Sequence, residues 1–214
     1  MESISLAYLV LNPSIEVLCA QIEFLRPISS EFCLAIDSRT DADKIDIISS
    51  WKNVKYTIIE WRDDFAWARN QALGLVSGEW VLHLDVDEMP SYGMMQHLQH
   101  ISEGNASKEE LAYLYWRKNW YNGAKPQLYP PDDYHIRMFR NGSGEWYRPV
   151  HELVYINGIA EFYTRGTQAV PYVHDSRYII HSKPGSDISK SSELYERIQK
   201  EKTDMMNPIK NKQE

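Results

Sequence analysis

The sequence predicts an α/β fold built on a parallel, doubly wound sheet. Three observations predict it. Four short apolar runs that read as buried strands alternate with stretches whose apolar residues recur at helical spacing. Turn and cap residues stand at the boundaries between them. Acidic residues follow the second and fourth runs, and in such sheets ligands bind beyond the carboxyl ends of strands.

The elements follow in order. Residues 4–11 (ISLAYLVL) form a continuous apolar run, as in a strand covered on both faces. Asn12-Pro13-Ser14 turns into a helix with Ile15, Leu18, Cys19, Ile22 and Leu25 on one side. Residues 32–36 (FCLAI) make a second strand, closed by Asp37. Residues 41–50 read as a short helix with Ile45 and Ile48 inward, and residues 54–59 (VKYTII) as a third strand. Asp63-Asp64 offers an N-cap for a helix over 65–76, and Gly78 is expected to end it. Residues 80–84 are the fourth strand, followed by Asp85-Val86-Asp87-Glu88 and a helix over 91–101.

The second half changes character. Residues 111–121 (LAYLYWRKNWY) are aromatic and strand-like. Residues 134–140 and 147–154 read as further strands around the turn Asn141-Gly142-Ser143-Gly144, and 126–133 as a loop. A polar helix is expected from 189 to about 205, with frayed residues 207–214 behind it.

Composition narrows the function. A chain of 214 residues with 43% hydrophobic and 25% charged residues suits one folded domain. A net charge of -7, with no zinc finger or basic tail, argues against a surface coated in nucleic-acid-binding charge, while leaving room for a local basic groove. Two cysteines, Cys19 and Cys33, cannot make a disulfide framework and read as buried thiols in a reducing compartment. Residues 1–12 lack a signal peptide's basic start, and no apolar stretch is long enough to span a bilayer. A soluble, cytoplasmic protein is therefore expected.

Asp85 and Asp87, one residue apart just past a strand, can offer oxygens to one hard cation. Mg²⁺ and Mn²⁺ prefer such ligands, and Mg²⁺ is commonly held by one or two carboxylates plus substrate phosphates. Without a cation, neighbouring carboxylates repel. A D-x-D pair alone is a weak signal and reads more readily as a solvated strand-end loop. A calcium loop is disfavoured because the D-x-D-x-D-G pattern is missing.

The stretch DDFAWARNQALGLVSGEWVLHLDVDE resembles the central block of family 2 glycosyltransferases with the GT-A fold. Its landmarks here are Asp64-Phe65, Ala68-Arg69-Asn70, Gly78-Glu79-Trp80 and Asp85-Val86-Asp87-Glu88. DSRTDAD, from Asp37, is similar to the family's acidic turn, with Ser38-Arg39 where Gly-Ser is usual. MFRNGSGEWYRPVHELV, from Met138, is similar to its acceptor-side segment ending in His-Glu. The likeness covers roughly residues 4–155. It implies a GT-A-type nucleotide-binding sandwich, a mostly parallel sheet flanked by helices plus a smaller acceptor-side mixed region. Within one domain, 1–104 would be the nucleotide-sugar half, 105–188 the acceptor-side half, and 189–214 a helix and tail.

That resemblance implies roles. Asp37 would contact the base or ribose, with Arg39 and Arg69 near base or phosphate. Asp85 would meet ribose or metal, and Asp87 the Mn²⁺ or Mg²⁺ that bridges the diphosphate. Glu152 is the first candidate for the base of an inverting displacement, and His151 the second. His181 is the candidate late metal ligand, with His174 as competitor, and Lys183 could hold phosphate. Trp116, Trp120, Tyr121, Trp146 and Tyr147 could form an acceptor platform. Each has a plainer reading: Asp37 as turn-former, Arg69 as surface charge, Glu88 as cap of the next helix, and His151-Glu152 paired with Arg148 or Arg137.

The expected donor is a nucleotide-diphosphate sugar, with UDP-sugars first. The acceptor is open among a glycan, a protein side chain, a lipid-linked sugar and a modified nucleobase. A sugar nucleotidyltransferase is the first rival, but the turn after strand one has neither Gly nor Lys. A non-catalytic carbohydrate-binding module is the second, and it does not explain four strand-helix units.

Overall fold

A computed structural model of the protein describes residues 1–121, 134–183 and 196–200. The expected loop at 126–133 and tail at 207–214 lie outside them. Of the expected C-terminal helix, residues 196–200 are helical and the rest lie outside too.

Strands β1 (Ile4–Val10), β2 (Glu31–Asp37), β3 (Val54–Ile59) and β4 (Trp80–His83) alternate with helices α1 (Ile15–Leu25), α2 (Ala42–Ser49) and α3 (Phe65–Leu73). Then come β5 (Glu88–Pro90), α4 (Tyr92–Ser102), β6 (Ala112–Tyr121), β7 (Tyr134–Arg140), β8 (Gly144–Tyr147), β9 (Leu153–Ile156), β10 (Ile159–Ala160), α5 (Glu161–Thr164) and β11 (Tyr178–Lys183). One eight-stranded sheet has the order β3-β2-β1-β4-β7-β6-β11-β5, and β10-β9-β8 form a small second sheet. The first four strands pair in parallel. β7 and β5 join antiparallel, which makes the large sheet mixed on its acceptor side.

Alternation along the strands sorts the core into two layers. Leu6, Tyr8, Leu34, Trp80 and Leu82 face a layer filled by Leu18 and Ile22 of α1 and Met94 and Leu98 of α4. Ala7, Ala35 and Val81 face the other way, against Ala66, Ala68 and Ala72 of α3. Alanine against alanine leaves little thickness, so α3 lies close on the sheet. That closeness carries Arg69 to the strand ends. Among the described residues no helix is long and apolar enough to cross a membrane.

Four expectations need correction. The third helix ends at Leu73 with Gly74 as its C-cap, not at Gly78. Gly78 is needed for a different reason: a Cβ there would stand 2.5 Å from Ser5 Oγ and 3.0 Å from Ser3 O. Residues 147–154 are not one strand. β8 stops at Tyr147, and a corner with Arg148 at φ 75° and His151 at φ 52° precedes β9. Glu88 does not cap α4; Ser91 does, accepting from the Met94 N–H at 3.2 Å. Glu88 instead begins β5, a strand too short to show any period. Cys33 is buried as expected, but Cys19 is only partly so, and both are free thiols.

Candidate active site

The site forms where the ends of β2 and β4 meet the N-terminal half of α3 and the corner after β8. Asp64 caps α3, its Oδ1 accepting from Trp67 N–H at 2.9 Å. The next N–H, of Phe65, donates to Pro149 O at 2.9 Å, so the helix start is tied to the corner. Further along α3, Asn70 grips the backbone of Trp146. Its Nδ2 donates to the carbonyl at 2.9 Å, and its Oδ1 accepts from the N–H at 3.0 Å. The Trp146 ring in turn supports the Arg69 guanidinium, 5.0 Å from its centroid.

Arg69 is the hub. Its Nη1 donates to Asp85 Oδ1 at 2.7 Å and also contacts Nε2 of His83. Its Nε donates to Glu152 Oε1 at 3.2 Å. Only a planar fork serves partners on several sides at once. Burial alone would discharge this arginine, but the Asp85 and Glu152 carboxylates outweigh it and hold its pKa above the ordinary value. Arg69 is therefore not a surface charge. Glu152 pairs with it rather than with Arg148 or Arg137.

Asp85 is held from a second side by Arg137, whose Nη2 lies 3.2 Å from Oδ2. Burial pushes the Asp85 carboxyl up, yet the two guanidiniums win and keep it well below the usual carboxylate range. The same Arg137 nitrogen donates to Glu88, and Glu88 Oε2 accepts from the Asp85 N–H at 3.0 Å. His83 is wholly buried between these groups. Burial, with the Arg69 charge adding to it, pushes its pKa well below 6.5 and leaves a neutral ring. Its Nδ1 has no hydrogen-bond partner among the described residues.

Asp87 and His181 make the second half of the site. Asp87 Oδ2 lies 3.2 Å from His181 Nε2, with Asp87 40% exposed and the histidine ring 8%. His181 Nδ1 lies 2.6 Å from Asn119 Oδ1. With the ring proton on Nδ1, donated to that carbonyl oxygen, Nε2 turns a lone pair toward a carboxylate oxygen. Two acceptors so placed call for a cation, either a proton or a divalent metal. An imidazole nitrogen oriented by an outer hydrogen bond, beside a solvent-facing carboxylate, is a donor set that Mn²⁺ or Mg²⁺ plus phosphate oxygens would complete. Asp85, the other expected metal ligand, faces the two arginines instead. Among the described residues no three His, Cys, Asp or Glu side chains converge as a ready-made cage.

Asp37 ends β2 almost wholly buried. It accepts from Arg39 three times: from N at 2.9 Å, Nε at 2.9 Å and Nη2 at 2.6 Å. Burial raises its pKa, but the Arg39 bonds overcome that and lower it. The half-exposed Arg39 also stands 5.9 Å from the Trp61 ring centroid. Asp37 therefore both shapes the turn and holds Arg39 over an aromatic wall.

His151 is exposed on the corner next to Glu152. His174 bonds locally to Ser176, with 3.0 Å between Nδ1 and Oγ, and is not part of the His181 cluster. Of the aromatic set, Trp146 is core beneath Arg69, and Tyr147 is exposed and stacked on Tyr155. Trp116 packs on Tyr134 at 5.7 Å. The Trp120, Tyr121 and Lys183 side chains lie outside the described residues. His83, Arg137 and Asn119 were not expected in the site. His83 had a sequence signal, since it ends β4 two residues before Asp85, and an extended chain puts such residues on one side. Asn119 and Arg137 had none, because only the pairing of β6 and β7 into the sheet brings them in.

A family model described as glycosyl transferase family 2 matches residues 8–152. A TPR repeat-containing protein of Synechococcus elongatus is 31% identical over 113 residues, 52% of this chain and 26% of that protein. The crystal structure of S. aureus TarS 1-349 superposes with a TM-score of 0.51 at 13% identity, over 84% of this chain and 60% of that one. The chain thus spans about a quarter of the first protein and three-fifths of the second, and the second likeness is one of fold. The sheet order and the small antiparallel companion sheet are those of a GT-A fold. The family match takes in Asp37, Arg69, Asp85, Asp87 and Glu152 and covers well over half of the sequence, so the chain belongs to glycosyl transferase family 2.

Proposed function

We propose that the chain moves a sugar from a nucleotide-diphosphate sugar, with UDP-sugars first, to an acceptor hydroxyl by a metal-dependent, inverting displacement. The observation that carries the metal is the Asp87–His181 pair, whose facing acceptors call for a cation. Mn²⁺ or Mg²⁺, when bound, would neutralise charge on the leaving diphosphate.

Every other task falls to side chains. Arg39 and Asp37, beside Trp61, form the wall for base and ribose. Asp85, kept ionised and immobile by Arg69 and Arg137, accepts a donor hydroxyl at a fixed position. Glu152 has Oε1 anchored by Arg69, which leaves Oε2 to take the acceptor's proton. The acceptor oxygen attacks the anomeric carbon from the face opposite the diphosphate. The bond to the diphosphate oxygen breaks and the leaving group carries off the electron pair. His151, next to Glu152, meets the acceptor at the rim. The acceptor is open among a glycan, a protein side chain, a lipid-linked sugar and a modified nucleobase.

The test incubates a panel of nucleotide sugars with Mn²⁺, Mg²⁺ or EDTA and measures released nucleoside diphosphate. At least one donor should be hydrolysed slowly in metal alone, with release lost in EDTA and in Asp87→Ala. If no donor is bound or hydrolysed with any metal, the transfer reading fails while the family fold stands.

A further inference from the structure

A cavity of about 390 Å³ lies where the C-terminal end of α3 meets the β8–β9 hairpin, and none of the groups discussed above as donor, metal or base contacts lines it. Its wall carries Tyr147 and Tyr155, stacked with ring centroids 4.1 Å apart and 28° between planes. The Tyr147 side is 41% exposed, so an aromatic face is offered to a ligand. Among the described residues the lining contains no Lys or Arg. Glu145, the one charged group among the described lining residues, accepts from the Tyr147 phenol at 3.0 Å. Gly142 and Gly158 line it at φ 81° and 78°, with nothing within 4 Å of where a Cβ would stand. The turns are tied together by Asn157 N–H donating to Ser143 O at 2.8 Å; the Ser143 hydroxyl, which donates to Arg140 O at 2.7 Å, can still accept, and Asn157 adds a side-chain amide.

We infer that this cavity binds a neutral oligosaccharide, by stacking sugar rings on the tyrosine pair and bonding their hydroxyls to the glycine-rich turns. Pyranose rings offer C–H faces to aromatic planes and hydroxyls around the edge, which matches this mixture of stacked rings and small polar groups. A phosphate- or carboxylate-bearing ligand would meet Glu145 with no cation to receive it. The volume lies in the range of small-ligand sites. Position gives the site a role. Glu152 immediately precedes β9 and Tyr155 lies on that strand three residues further on, at most roughly 10 Å along the chain. On the transferase reading, the cavity would hold the distal units of a glycan acceptor whose reacting hydroxyl lies at Glu152. Saccharide binding itself needs neither donor nor metal, so it is measured apart from that reading.

The experiment is calorimetric titration of the full chain, without donor or metal, with cellohexaose, chitohexaose, maltohexaose and the anionic hexamer of galacturonic acid. One neutral hexasaccharide should bind saturably and the anionic one at least about 10-fold more weakly. Tyr155→Ala should weaken binding by about 10-fold or more, while Tyr155→Phe, which keeps the stacked ring, should retain it. Tyr147→Ala, at the more exposed ring, serves if Tyr155→Ala melts early. Absence of binding by all three neutral sugars at millimolar concentration would overturn the inference. So would binding unaffected by loss of either ring, or tighter binding of the anionic hexamer.

Discussion

Arg137 and Glu88 form an ion pair that is almost wholly buried, at 4% and 0% side-chain exposure. Removing Arg137 leaves buried Glu88 with only the Asp85 N–H and Arg117 at 3.8 Å, and removing Glu88 leaves Arg137 to Asp85 at 3.2 Å. Arg137→Ala or Glu88→Ala should each cost about 3–5 kcal/mol, measured by urea unfolding. The double change to Met and Leu should cost far less than the sum. Additive losses would show that the pair is not coupled.

Arg69 serves Asp85 and Glu152 with different nitrogens of one fork. A lysine has a carbon where Arg69 has Nε, so it offers no donor at the position that meets Glu152. Arg69→Lys should keep the fold by circular dichroism and lower kcat/KM by about 100-fold. Unchanged turnover would mean that Glu152 needs no anchoring.

Asn119 fixes which nitrogen of His181 faces Asp87. Asn119→Ala should raise the Mn²⁺ concentration for half-maximal donor hydrolysis by about 10–100-fold, at little change in saturated rate. His181→Ala should do so more strongly. A metal requirement indifferent to both changes would exclude the pair as ligands.

His97 is buried on α4, with Nδ1 2.9 Å from the Tyr115 hydroxyl. Burial, with Arg177 adding to it, depresses its pKa from 6.5 to about 4. The unfolded chain binds this proton first, so the stabilising contribution is complete above pH 6.5 and is lost as pH falls toward 4. The loss amounts to roughly 3 kcal/mol if the whole shift is realised. Chemical denaturation between pH 7 and 4.5 should show that slope, and His97→Gln should flatten it. An identical slope in the variant would assign the acid sensitivity elsewhere, His83 first.

The parallel half of the fold was legible because strands buried on both faces are continuous apolar runs, and helices such as 15–25 carry a clear stripe. Asp37, Arg69, Asp85 and Asp87 were legible because they terminate or flank those runs. The sense of their contacts was not. Nothing local says that Asp85 answers to Arg137, 52 positions away, or that Glu152 answers to Arg69, 83 away. The corner at 147–154 is hard to read because its left-handed residues, Arg148 and His151, are not the glycines that normally announce a turn, and Pro149 between them is its one local signal.

The acidic tripeptide also has a mechanical consequence. β4 and β5 stand four inter-strand steps apart in the sheet, about 19 Å if it were flat. The chain from His83 to Glu88 reaches at most about 18 Å when fully drawn out, and Glu88 N–H folds back onto Asp85 O at 3.0 Å. The sheet must therefore roll until its far edge comes round to β4. Asp85-Val86-Asp87 is the tie rod that closes the roll, and its length sets how near His181 on β11 is drawn. One inserted residue would slacken the tie without removing a single carboxylate. The spacing of the acids is thus an architectural dimension as well as a chemical one.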